Sequence, residues 1–157
     1  MHTPYGKSLT ATVYIVKADR VLLHLHKKFH TWFPVGGHLE KDELPHDAAL
    51  REVKEECGLD VTLLDARPQD TSLDLGRVVR VPSPLLICHE GIGHDEEFLD
   101  LIYVAVTDQV GAHSQDGESH TFRWFSEEEL RDPAEDLKIH VRTTALAALA
   151  NAKQQNR

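Results

Sequence analysis

The chain is expected to fold as an α/β (α+β) protein, with a central mixed β-sheet held between helices in an α/β/α sandwich. Three observations lead there. Several apolar, β-branched runs of strand length are separated by turn residues, and they outnumber the helical segments. Two segments carry helical signals instead, one amphipathic in the first third and one Ala/Leu-rich near the end. No internal repeat, low-complexity tract or composition break interrupts the 157 residues. Residues 1–157 are therefore taken as one domain, long enough for one sizeable core.

The elements follow in order. Ser8 to Lys17 (SLTATVYIVK) is a strand, Ala18-Asp19-Arg20 a short turn, and Val21 to His26 the second arm of a hairpin. Thr31 to Val35 is a short extended piece, which Pro34 confines to an edge or irregular position. A helix from about Glu43 to Cys57 has Asp42 as N-cap, Pro45 in the first turn and Gly58 as its stop. Val61 to Ala66 is the next strand. Arg67 to Asp74 is a polar loop, and Arg77 to Val81 has the composition of a short strand before Pro82 and Pro84. Leu85 to His89 is a strand, Glu90 to Glu96 a polar loop, and Phe98 to Thr107 (FLDLIYVAVT) a long strand in the centre of the sheet. Asp108 to Ser119 is a second polar loop, and His120 to Phe125 the last strand. Ser126 caps a short acidic helix with Glu129 completing a capping box, and an Ala/Leu-rich helix runs from about Pro133 to Ala152.

The first helix has an unusual face. Stepping about 100° per residue from Glu52, Glu56 falls at roughly +40° and Glu55 at roughly −60°, so three carboxylates share one side. Ala48 falls among them at about −40°. Ala49, Leu50, Val53 and Cys57 lie between about +60° and +160° and form an apolar stripe for the core. A solvated acidic face is the plain alternative, because like charges cost a helix only about 0.2–0.5 kcal/mol per pair. Carboxylate clusters also suit magnesium or manganese, hard cations that prefer oxygen ligands. Arg51 stands one turn from Glu55, within reach of its carboxylate.

A longer pattern surrounds these residues. Gly37 is followed by five residues, then Glu43, then seven more, then Arg51-Glu52-Val53-Lys54-Glu55-Glu56-Cys57-Gly58-Leu59. Every fixed position of the Nudix signature is filled at its spacing, so the chain resembles the Nudix hydrolases. That resemblance implies a magnesium- or manganese-dependent enzyme that cuts a nucleoside diphosphate linked to another group. It places Glu52, Glu55 and Glu56 at the metal-ligand positions, with the Gly37 carbonyl as a further ligand. It makes Glu43 a structural partner of Arg51 and Gly58 a structural position of the signature. Gly36 and Gly37 permit a close approach that a Cβ would block.

Composition narrows the partners. The formal charge of −9 opposes stable nucleic-acid binding through phosphates, whereas a bound cation reverses the sign locally for a small phosphorylated substrate. Cys57 and Cys88 are too few for a disulfide framework, and no C-x-x-C pair suggests zinc. No run has the length of a membrane span and no signal-type segment opens the chain. A cytoplasmic monomer or homodimer without membrane contact is the expectation.

Other residues compete for roles. In some Nudix hydrolases a glutamate in the loop before the last strand binds metal or takes a proton from the attacking water, and Glu118 occupies that place. Glu96, Glu97 and Glu52 are rivals for the proton. Trp32, His38 and Trp124 are weaker candidates for substrate contact, core packing being the usual fate of such tryptophans. Lys27, Lys28 and Arg80 are possible phosphate contacts. His24 and His26 share a strand face, but no third ligand motif lies near. A nucleotide- or sugar-phosphate sensor that binds without turnover is the alternative function. Isomerase chemistry on a prenyl diphosphate lacks a placeable cysteine and acid.

Overall fold

The computed structural model describes residues 7–67, 72–114 and 121–156. Its eight strands form one mixed sheet built around a parallel pair. β1 (Ser8–Lys17) lies beside β7 (Phe98–Val106), in register from Ser8 opposite Phe98 to Val16 opposite Val106. These are the longest strands, and both read as continuous β-branched and apolar runs, the mark of a strand buried on two faces.

β1 turns at Ala18, which takes φ 52°, into β2 (Arg20–Leu25), and the two pair only from Ile15 and Leu22 to the turn. Further out they part, and residues 32–38 fill the opening. β3 (Trp32–Phe33) pairs with β2, and β4 (Val35–His38) pairs with β1. Pro34 lacks an N–H and marks the change of partner. β8 (Thr121–Ser126) pairs with β2 over its whole length. β5 (Thr62–Leu63) and β6 (Leu86–Glu90) share the far side of β7.

Helices cover both faces. α1 (Pro45–Cys57) packs Ala48, Ala49, Val53 and Cys57 against Ala11, Val13, Ile15 and Tyr103. α3 (Ile139–Gln155) packs Val141, Ala145, Ala148 and Leu149 against Tyr14, Val16, Leu23 and Phe125 on the other face, with Leu130 of α2 (Glu127–Arg131) beside them. Odd residues of β1 thus serve one helix and even residues the other, as a period of two requires. The layering is the expected α/β/α sandwich. Among the described residues no helix is long and apolar enough to cross a membrane.

Five local expectations need correction. α1 begins at Pro45 with Leu44 at the N-cap, while Asp42 sits one turn earlier with φ 64° and caps nothing. Leu50 is 39% exposed, and the buried arc of α1 runs from Ala48 instead. Residues 77–81 form no strand: Val78 and Val79 project into solvent ahead of the two prolines. The strand expected over 61–66 contracts to Thr62–Leu63, with one further bond from the Leu64 amide to the Val104 carbonyl, since β6 takes the same edge of β7 from Phe98 to Ile102 and the Ala66 amide turns to the Ser83 carbonyl. The last helix starts at Ile139, because residues 132–138 are held in turns: Asp132 accepts from the Ala134 amide, and Arg142 donates to the Asp132 and Glu135 carbonyls. Gly58 does stop α1, in a left-handed conformation with its amide bonded to the Lys54 carbonyl. The Ser126–Glu129 capping box forms in both directions.

Candidate active site

Only Glu55 of the acidic side of α1 is exposed to bulk solvent. Its buried arc brackets Glu52 and Glu56, so both carboxylates are turned toward β4, which carries glycine at Gly36 and Gly37. The Gly36 amide donates to Glu56 Oε2 at 3.0 Å. A Cβ on Gly37 would stand 2.4 Å from Glu52 Oε1 and 2.6 Å from its carboxyl carbon. A Cβ on Gly36 would stand 2.6 Å from the Ala11 carbonyl oxygen. A side chain at Gly37 would therefore displace the Glu52 carboxylate, and one at Gly36 would push β4 away from β1.

Arg51 organises the cluster. Its Nε and Nη2 donate to the two oxygens of Glu43 at 2.8 and 3.0 Å. Nη1 reaches Glu52 Oε1 at 2.9 Å and Glu55 Oε2 at 3.1 Å, and Nη2 also donates to the His38 carbonyl at 3.1 Å. One guanidinium thereby ties together the loop before α1, the helix and β4. Its bonds hold Glu43 below the usual carboxylate range. Glu52 has only 12% of its side chain exposed, and burial raises its pKa while the Arg51 bond opposes the rise. Glu55 stands at the solvent margin, 51% exposed.

One positive charge serves three of these carboxylates, and Glu56 adds a fourth. The surplus is negative, beside the two glycines of β4, and the donors are hard oxygens. That combination fits a divalent cation such as magnesium or manganese. Among the described residues no three acidic, histidine or cysteine side chains already form a closed metal cage. Glu52 and Glu55 lean on Arg51, and Glu56 leans on the Gly36 amide.

Glu56, Gly36, Gly37 and His38 form one end of a cleft of about 1090 Å³ on the α3 side of the sheet. Its floor carries Thr10, Thr12, Cys88, Glu90 and Asp100, and its outer wall Phe29, Phe33, Lys27 and Lys138. Six of the eleven histidines line it: His24, His26, His38, His89, His94 and His140. His38 lies 3.2 Å from Glu96 and edge-on to Phe98.

The other candidates are placed as follows. Trp32 packs edge-on against Phe125, with centroids 5.3 Å apart, and Trp124 joins the cluster under α1; neither lines the cleft. Glu97 pairs with Lys7 and with His89, and Arg80 pairs with Asp65. Glu118 falls in residues 115–120, outside the described residues. Sequence reasoning passed over Asp100, Glu90, Thr10, Thr12 and Phe29. The available signal was Asp100 itself, a lone acid at an inward position of the strand FLDLIYVAV.

A family model described as NUDIX domain matches residues 6–146. The chain is similar to the crystal structure of a hydrolase of the NUDIX family from Clostridium perfringens, with 36% identity, a TM-score of 0.81, and coverage of 92% of this chain and 97% of that one. It is similar in fold to a MutT NUDIX hydrolase from Burkholderia pseudomallei, at 20% identity and TM-score 0.61, over 92% of this chain and 97% of that one. A UDP-X diphosphatase shares the fold at 14% identity and TM-score 0.62, over 96% of this chain and 64% of that longer one. No curated protein matches.

Proposed function

The chain belongs to the Nudix hydrolase family, and from that premise we propose that it hydrolyses the diphosphate linkage of a nucleoside diphosphate joined to another group. Nucleoside triphosphates, nucleotide sugars, ADP-ribose and dinucleoside polyphosphates are the compounds of that class. The products are a nucleoside monophosphate and either pyrophosphate or a phosphorylated remainder. The observation that carries this reading is the contact between α1 and β4, with the Glu56 carboxylate on the Gly36 amide at one end of the cleft and Glu52 packed against Gly37.

Glu52, Glu55 and Glu56, with the Gly37 carbonyl, are the groups that would hold magnesium or manganese. Such a cation, when bound, polarises phosphate oxygens and lowers the pKa of a water. The remaining work belongs to the protein. Arg51 keeps Glu52, Glu55 and the His38 carbonyl in fixed relation. The bare strand at Gly36 and Gly37 lets the diphosphate approach the carboxylates. A glutamate removes a proton from the attacking water, with Glu52 the candidate inside the described site and Glu118 the candidate from the 115–120 segment. His38 lines the same end of the cleft as Glu56 and is the candidate donor to a phosphate oxygen.

The test is product analysis on that panel with magnesium or manganese. Turnover of at least one compound by the unmodified chain, reduced about 100-fold or more in Glu56→Gln, is the expected result. Tight nucleotide binding with no turnover of any compound would return the sensing alternative.

A further inference from the structure

Asp100 places a carboxylate in the middle of the sheet, 3% exposed, on a strand otherwise made of Phe, Leu, Ile, Tyr, Val and Ala. A buried acid of this kind is costly unless donors satisfy it. Three do. Thr10 Oγ1 donates at 2.9 Å, Thr12 Oγ1 lies 2.8–2.9 Å from both carboxylate oxygens, and Glu90 bonds to it from β6. Two carboxyl groups share such a bond only through a proton, and burial beside the Asp100 charge favours that proton on Glu90. The Asp100 carboxylate is thus committed to protein donors, so any part it has in the reaction is played through them.

The threonines lead to the cutting end. β1 has β7 on one edge and β4 on the other, and Thr12 stands opposite Gly36 in the β1–β4 ladder. Residues facing each other across such a pair project to the same side of the sheet. Thr12 accordingly lies tight over Gly36: a Cβ there would stand 3.0 Å from Thr12 Oγ1 and 2.9 Å from its Cα. The Gly36 amide is in turn the donor on Glu56. One line of contacts therefore crosses four strands, from Glu90 through Asp100 and Thr12 to Gly36 and its bond to Glu56. Among the staggered χ1 states of Thr12, the bond to Asp100 selects the one that sets an oxygen against Gly36. Without that bond the wider methyl can take the place, and β4 has to give way with its amide.

Resting on the reading of Glu56 as a metal ligand in a diphosphate hydrolase, we propose that Asp100 is a positioning residue for the cation site: it fixes the Thr12 hydroxyl, which seats β4 at Gly36 and so aims the Glu56 carboxylate. Glu90 supplies the donor that completes the Asp100 shell. Partners that act on a metal ligand through another residue tune affinity and rate by about tenfold rather than abolishing them.

The experiment reads manganese affinity by electron paramagnetic titration of the full chain, and kcat at saturating substrate, in Thr12→Val and Thr12→Ser. Valine keeps the branched shape and puts a methyl where the hydroxyl stands, whereas serine keeps the hydroxyl. Thr12→Val should weaken manganese binding and lower kcat, each by about tenfold, with KM within about twofold. Thr12→Ser should restore both to within about twofold of the unmodified chain. Asp100→Asn exchanges an acceptor oxygen for a donor and should match Thr12→Val, and the double variant should be no worse than either single one, since both act on the same contact. The Thr12 pair carries the test by itself if Asp100→Asn does not fold. Unchanged manganese affinity in folded Thr12→Val, a Thr12→Ser variant as impaired as Thr12→Val, or additive losses in the double variant would overturn the proposal. The expected pattern of manganese affinities in a chain that cleaves nothing would sink the hydrolytic reading alone. Cleavage by a chain whose manganese affinity ignores Thr12 would sink this one alone.

Discussion

At the scale of single residues, the site depends on two kinds of position: one that must have no side chain and one that must have five donors. Gly37 is the first. Its Cβ would overlap the Glu52 carboxylate, so Gly37→Ala should cut turnover by about 100-fold, the cost of roughly an ångström of misplacement, with the fold retained. Wild-type kinetics in a folded Gly37→Ala variant would contradict the placement. Arg51 is the second. Lysine keeps the charge but cannot span Glu43, Glu52, Glu55 and the His38 carbonyl together. Arg51→Lys should lose activity and also stability, by about 2 kcal/mol, because partly buried carboxylates lose their donors. Thermal unfolding checks this, and an unchanged melting temperature would show that the network is decorative.

At the scale of elements, the β6–β7 pair carries a cost that solution pH exposes. Glu90 is pushed up to about 7, first by burial and then by the Asp100 charge and bond beside it. Its proton is held more tightly in the folded state than in the unfolded one. Its contribution to stability is therefore complete below the ordinary carboxylate range and is lost as pH rises through about 7. Glu90→Gln removes that dependence. The wild-type melting temperature should fall relative to the variant between pH 5 and pH 8, by on the order of 2 °C. Parallel curves would mean that Glu90 titrates as an ordinary surface acid. Elements also show how far sequence reading reached. β1, β7 and α1 were legible because alternation, β-branching and an apolar stripe are local properties. The start of α3 was not, since Pro133 suits a helix N-terminus, but Arg142 and the Asp132 turn hold 132–138 out of it. Leu50 was misplaced because the stripe was drawn around the apolar residues alone. The sheet actually buries an arc that includes Glu52.

At the scale of the whole molecule, the parallel pairing of β1 with β7 sets what the site contains. It brings residues 8–14 against 98–104, and the chain around Pro34 delivers Gly36 and Gly37 to the other edge of β1. The cutting end was readable because Gly37 to Leu59 is contiguous and α1 folds it into one cluster. The cleft was not, because Thr12, Phe29, Asp100 and His140 lie far apart in the chain and only the sheet assembles them. The histidines show the same thing: scattered in sequence, six of them share one cavity. The central claim concerns the assembled α1–β4 contact as a cation site, and electron paramagnetic titration with manganese tests it most directly. The unmodified chain should bind the ion, and the Glu52→Gln, Glu55→Gln, Glu56→Gln triple variant, still folded, should not. Equal manganese binding by both proteins would contradict the account.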